Sequence, residues 1–240
     1  MIKIDLLKED KSYMKQVNQF SKIDGLLAVF LFLLYIGIVV YDNSNVDWLS
    51  TESHVIISGL LRVIVVALPI FIVLFLRKQS ISSIGISNRN FMKSTYFALS
   101  LSILYFIGAL VYSLIVKNEI IFKVNHTLFY YVVYYFLISA FNQEILFRGF
   151  VSPRIRYVIK NRWLSIAIVG VMFSLMHFFS ALAFQFWDFG RAIDYVWIQM
   201  IYSFGFHVIA QLLYQRYNNL IGPVILHGFG NMLAYMIIFA

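Results

Sequence analysis

The sequence predicts an all-α protein, a polytopic transmembrane helical bundle with about seven spans. Three observations lead there. Of 240 residues, 61% are hydrophobic and 12% charged, whereas soluble domains carry about 25% charged residues. Mean hydropathy is +0.81. The apolar residues gather in runs close to the ~20 residues that a hydrocarbon core requires. With three prolines and no cysteine, composition excludes a disordered chain, a collagen, a disulfide scaffold, a thiolate nucleophile and a cysteine-ligated zinc.

The elements follow in chain order. Residues 1–22 are polar and lysine-rich and read as a cytoplasmic N-terminal segment. They form either an amphipathic helix on anionic lipid (Ile4, Leu6, Leu7, Met14, Val17 and Phe20 against the lysines) or a polar tail that only sets topology. No cleavable signal peptide is expected, because the first apolar run has no small-residue cleavage site. The spans are 23–41, 55–76, 94–116, 127–147, 163–182, 195–214 and 220–240. The second and fifth are uninterrupted; the sixth carries Ser203, Gly205 and His207. Residues 23–240 read as one transmembrane domain, without linker, repeat or soluble module. Pro153 should break or kink the chain after the fourth span, leaving 149–160 as a re-entrant or interfacial helical piece that turns near Asn161.

A net charge of +8 would suit a nucleic-acid partner, but its distribution argues for topology and against nucleic acid. Lys3, Lys8, Lys11, Lys15 and Lys22 precede the first span, and Arg77, Lys78, Arg89 and Lys93 follow the second. Arg148, Arg154, Arg156, Lys160 and Arg162 follow the fourth, and Arg216 the sixth. The alternate side holds only Lys117, Lys123 and Arg191, with Asp42, Asp47 and Glu52 in its first loop. The positive-inside rule places the N-terminus in the cytoplasm. Trp48, Trp163 and Trp187 stand near span ends as interfacial anchors. Arg62, inside a span, should snorkel or pair with a carboxylate. The bilayer is the first partner, and short loops with Lys, Ile and Tyr usage suggest a bacterial cell membrane.

Function in such a chain is sought among polar groups at membrane depth, where they are costly. Three clusters stand out. Asn142-Gln143-Glu144 precedes Arg148-Gly149, and Glu144 and Arg148 share a helix face at i, i+4. A structural ion pair at a helix end would explain those two, but not four polar side chains. Phe173 and His177 form the second cluster; a single membrane histidine is ordinarily a packing residue. The third runs Gly222-Pro223, then His227-Gly228, then Gly230-Asn231, with His227 and Asn231 one turn apart. Helix packing through small residues with polar cross-links accounts for it equally. Together they offer an acid, a guanidinium, two histidines and an amide, the composition of a hydrolytic site. His207, His54, His126, Asp188 and Asp194 are read as packing or loop residues.

These motifs resemble the CAAX prenyl endopeptidase and bacteriocin-processing family (CPBP, also Abi) of intramembrane proteases. That family carries Glu-Glu-x-x-x-Arg, Phe-x-x-x-His and His-x-x-x-Asn in this order. Here they stand as Gln143-Glu144-x-x-x-Arg148, Phe173-x-x-x-His177 and His227-x-x-x-Asn231, within residues 127–240. The resemblance implies a CPBP-type fold and hydrolysis of a membrane-associated peptide or protein. Prenylated C-termini and bacteriocin or pheromone precursors are the implied substrates. It assigns water activation to position 143 with His177, oxyanion stabilisation to His227 and Asn231, and orientation to Glu144 and Arg148.

Gln143 departs from the family, since an amide cannot accept a proton at useful pH. Three explanations compete: an engineered substitution, a natural non-catalytic protein that sequesters a hydrophobic peptide, or Glu144 as base. A small-solute transporter is the remaining alternative, and it would need paired broken helices. No cofactor is expected; zinc is the runner-up, disfavoured because amides are poor zinc ligands.

Overall fold

The computed structural model describes residues 8–44, 52–117, 121–122, 128–185 and 187–238. Lys3, Ile4, Leu6, Leu7, Trp48, Lys123 and His126 therefore lie outside the described residues.

Each expected span is met by a helix. The short α1 (Lys11–Val17) precedes α2 (Lys22–Ser44), α3 (Glu52–Leu76) and α4 (Phe91–Tyr112, continued as a π-helix to Lys117). One unbroken helical run then covers residues 128–158. It comprises α5 (Leu128–Val133), a π-helix (Tyr134–Ala140), α6 (Phe141–Glu144), a second π-helix (Ile145–Val151) and α7 (Ser152–Val158). The remaining helices are α8 (Arg162–Phe184), α9 (Phe189–Tyr217) and α10 (Ile221–Met236). Ile121–Phe122 pairs antiparallel with Ile237–Ile238.

Five helices among the described residues are long and apolar enough to cross a membrane: Lys22–Ser44, Gly59–Leu76, Phe91–Ile115, Arg162–Phe184 and Phe189–Tyr217. The expected count of seven is not reached. The fourth expected span is cut by π-helical winding, and the seventh is a shorter apolar helix, Ile221–Leu233. His54 belongs to the first turn of α3 rather than to a loop.

Pro153 does not break the chain. It stands in the first turn of α7, directly after the π-helix. A proline ring clashes with the carbonyl one turn earlier, and the wider π winding relieves that clash. The run ends where Ile159 turns extended (φ −97°, ψ 96°). Asn161 then caps α8, its side chain accepting from the Leu164 amide at 3.0 Å. The turn near Asn161 is thus as expected, but the segment before it is a buried helix.

The 128–158 run is the axis of the bundle. Every residue from Glu144 to Arg156 is buried. Helices α2, α3, α8 and α10 pack around it, α8 and α9 form a hairpin, and α10 is wedged between α4 and the first π-helix. The polarity is that of a membrane protein. Phe75 is 82% and Leu26 70% exposed, whereas Glu144, Arg148 and Arg154 are 0% exposed. Arg62 pairs with Asp42 at 2.6 Å, the second of its two expected fates.

Over its described residues, 8–22, the N-terminal segment is neither a lipid-surface helix nor a loose tail. Tyr13 and Val17 of α1 are buried against protein, with the Tyr13 ring edge-on to Tyr214 at 5.8 Å. The Asp10 amide donates to the Gln215 carbonyl at 2.9 Å, and Asn218 donates to the Ser12 hydroxyl at 3.0 Å. Burial pushes the Asp10 carboxyl up, but the Ser12 hydroxyl and amide and the Arg89 guanidinium outweigh it and hold it below its usual range. Deeper in, Arg154 donates to the Phe150 carbonyl and to Gln79, whose amide reaches Asp24, itself paired with Arg77 at 3.1 Å.

Gly85 marks a close approach at this end. Its φ is +78°, and a Cβ there would lie 2.5 Å from the Tyr214 ring. Gly85→Ala should lower stability by ~2–4 kcal/mol through left-handed strain and overpacking. Gly108→Ala, in the interior of α4 with nothing within 4 Å, should be neutral or stabilising by ~0.5–1 kcal/mol. Thermal unfolding of the detergent-solubilised variants reads both, and equal midpoints would contradict the packing described.

Candidate active site

The three motif clusters lie on three helical elements that meet at mid-bundle. Glu144 ends α6 and Arg148 lies in the second π-helix; His177 is on α8; His227 and Asn231 are on α10. The Glu144 Oε1 atom is the hub. It lies 2.7 Å from His227 Nδ1 and 2.9 Å from Arg148 Nη1. A carboxylate can only accept, so Nδ1 carries a proton in this contact.

Arg148 is fully enclosed and its guanidinium makes no aligned hydrogen bond among the described residues. Charge and aromatic faces hold it instead. Its central carbon sits 4.5 Å from the Phe173 ring centroid and 5.4 Å from that of Phe206. A desolvated contact of this kind contributes ~2 kcal/mol or more. Phe173 is also edge-on to His177 at 5.6 Å and to His227 at 6.0 Å, and Phe206 lies 4.9 Å from His227. The aromatic residue of the second motif is therefore the packing centre of the site.

Asn231 donates to the Ser139 hydroxyl at 3.2 Å. His227 and Asn231 are four apart on α10, while their partners Glu144 and Ser139 are five apart on the facing run. A regular α-helix would turn residues five apart away from each other. Ser139 lies near the end of the first π-helix and Glu144 at the end of α6, so the run that carries both partners is not a regular α-helix throughout. Close approach is helped by Gly228, where a Cβ would lie 2.5 Å from the Phe136 ring.

His177, His227 and Asn231 line one cavity of about 30 Å³, together with Gln199, Tyr202 and Ser203. That is room for about one water. Glu144 reaches this group through His227. Gln143 does not line the cavity; its Oε1 is buried without a hydrogen-bond partner among the described residues. Among those residues no three His, Asp or Glu side chains gather as a metal site.

The polar side of α9 was missed as a unit. Gln199, Ser203, His207, Gln211 and Gln215 recur every fourth residue and share one face. Ser203, His207, Gln211 and Gln215 are buried, and His207 packs 5.9 Å from the Phe173 ring, against the site. Taking His207 alone hid the stripe; its four-residue period was the available signal.

Removing one partner of a buried ion pair typically costs ~3–5 kcal/mol, because the other charge is left unpaired. Glu144→Gln should therefore destabilise the protein by about that much, while the double variant Glu144→Gln/Arg148→Met should recover a large part of it. Thermal unfolding in detergent checks this, and additive losses in the double variant would mean that the two charges are not coupled.

Residues 125–233 match the family model described as type II CAAX prenyl endopeptidase Rce1-like, a stretch that holds all three motifs. No curated protein matches the chain, and no solved structure does. The matched stretch holds Glu144, Arg148, His177, His227 and Asn231 inside an all-helical membrane bundle, and over it the chain is similar to the type II CAAX prenyl endopeptidases.

Proposed function

We propose that this chain is a membrane endopeptidase that hydrolyses a membrane-associated peptide, at a rate lowered by Gln143. The observation that carries the reading is the Glu144–His227 contact of 2.7 Å, beside a cavity that His227 shares with His177 and Asn231. In this reading His177 accepts the proton of the attacking water. Without a carboxylate at position 143 it does so alone. The scissile carbonyl becomes an oxyanion, which Asn231 and the imidazolium of His227 stabilise. Glu144 supports that imidazolium, and Arg148 pairs with Glu144 in a dry interior. Exported peptide precursors, including bacteriocin or pheromone types, suit the site better than a free cofactor or solute.

The same contact favours a second reading of the base. If His227 is neutral with its proton on Nδ1, its Nε2 lone pair is free to take a proton from water, with Glu144 as the orienting carboxylate. Position 143 is then not part of the proton transfer. Zinc enters neither reading, because Glu144 Oε1 is already shared between Arg148 and His227, and Gln143 is a poor ligand.

Gln143→Glu should raise cleavage of a hydrophobic test peptide by up to ~10²–10⁴-fold, the usual contribution of a positioned general base, with binding little changed. Mass spectrometry of the products, alongside a binding measurement, reads both. Equal cleavage by the two forms moves the base to the Glu144–His227 pair. Binding by both with cleavage by neither marks a sequestering protein. Protein purified without added metal should carry no stoichiometric zinc, and elemental analysis showing one zinc per chain would overturn the metal-free chemistry.

A further inference from the structure

We propose that water and the polar part of the peptide reach the His177–His227 cavity from the face opposite the basic end, through a vestibule between the ends of α2, α8 and α9. This rests on the peptidase reading for the peptide, but not for the water. The vestibule is a second cavity of about 470 Å³ lined by Asn43, His177, Ser180, Phe184, Tyr195 and Gln199 among others. His177 and Gln199 also line the small inner cavity, so those two side chains are all that stands between the two spaces along this direction. Gln199 stands at the junction and donates to Ser203 inside at 3.2 Å.

Depth points the same way. His177 is seven residues from the end of α8 at Phe184 and fifteen from its start at Arg162. At 1.5 Å per residue the site lies ~10 Å from the first and ~22 Å from the second. The polar stripe of α9 runs inward from this vestibule as Gln199, Ser203 and His207. It continues to Gln211 and Gln215, which are fully buried and line neither cavity.

Among the described residues, the cavity at the opposite end does not reach the motif side chains. That cavity, about 630 Å³, is walled chiefly by apolar residues such as Ile86, Phe91, Phe136 and Val224, and it includes none of the motif residues. That end carries Lys22, Arg77, Lys78, Lys160, Arg162 and Arg216 at helix termini, the pattern of a cytoplasmic face. The vestibule end therefore faces outward, and the site is built to receive polar segments on the outer side.

The chain contains no cysteine, so single cysteines report access without background. Only a thiolate reacts with a maleimide, and a thiolate needs water. Tyr195→Cys, Gln199→Cys and Asn88→Cys, each in the full-length chain, would be exposed to a membrane-impermeant maleimide on intact cells and on inside-out vesicles. We expect Tyr195→Cys and Gln199→Cys to label from outside and to lose labelling in vesicles, with Gln199→Cys the slower. Asn88→Cys, on the rim of the apolar cavity, should label only in vesicles. Ser180→Cys on the opposite vestibule wall repeats the measurement if Gln199→Cys fails to accumulate. Labelling of Gln199→Cys or Ser180→Cys from the vesicle side only, or from neither side, would overturn the route. Labelling of Asn88→Cys on intact cells would overturn the assignment of the faces. Labelling reads access rather than turnover, so a peptide that is not cleaved leaves this result standing, and closed access leaves the cleavage assay standing.

Discussion

A carboxylate and a guanidinium taken out of water repel every apolar surrounding except one that also supplies their counter-charge. Glu144 and Arg148 meet that condition within a single helical turn, and the bundle is arranged so that neither touches lipid. Thirteen consecutive positions, Glu144 to Arg156, are enclosed by neighbouring helices. Apolar surface is consequently left on the outer helices, where Leu26, Leu60 and Phe75 face the hydrocarbon. The architecture is a sleeve of lipid-facing helices around one helix that could not stand in lipid by itself.

The central run also explains how short motifs on separate spans become one site. Helices pair through repeats of 3.6 residues, but the Ser139–Glu144 spacing is five. The run passes from π winding into α6 between these residues, and two rungs, Asn231–Ser139 and His227–Glu144, form between antiparallel helices. The same winding takes up Pro153 without a break. π-helical turns are rare and concentrate at functional sites, and here they serve register and proline tolerance together.

At the basic end a second set of contacts ties the N-terminal segment to the bundle. Glu9 lies 3.6 Å from both Arg156 and Arg162, and Arg162 donates to Gln215 at 2.8 Å. Arginines of the basic end thus also hold the segment before α1 over the ends of α7 and α8. The burial of Tyr13 and Val17 adds to this.

Composition and charge placement by themselves determined that the chain is an all-helical membrane protein, and three motifs determined which family it resembles. Those properties are local: an apolar run of given length, or a histidine and an amide four residues apart, needs no knowledge of neighbours. The fate of Pro153, the docking of α1, the count of helices able to span, and the cooperation of His207 with the site were decided only by tertiary structure. Each depends on what packs against the segment. An apolar run reads the same whether protein or lipid surrounds it, and π winding leaves no composition signal. Gln143 illustrates the limit from the other side. The sequence identifies its departure from the family motif, but its distance from the cavity lining follows from the rotation of α6, which the surrounding helices set.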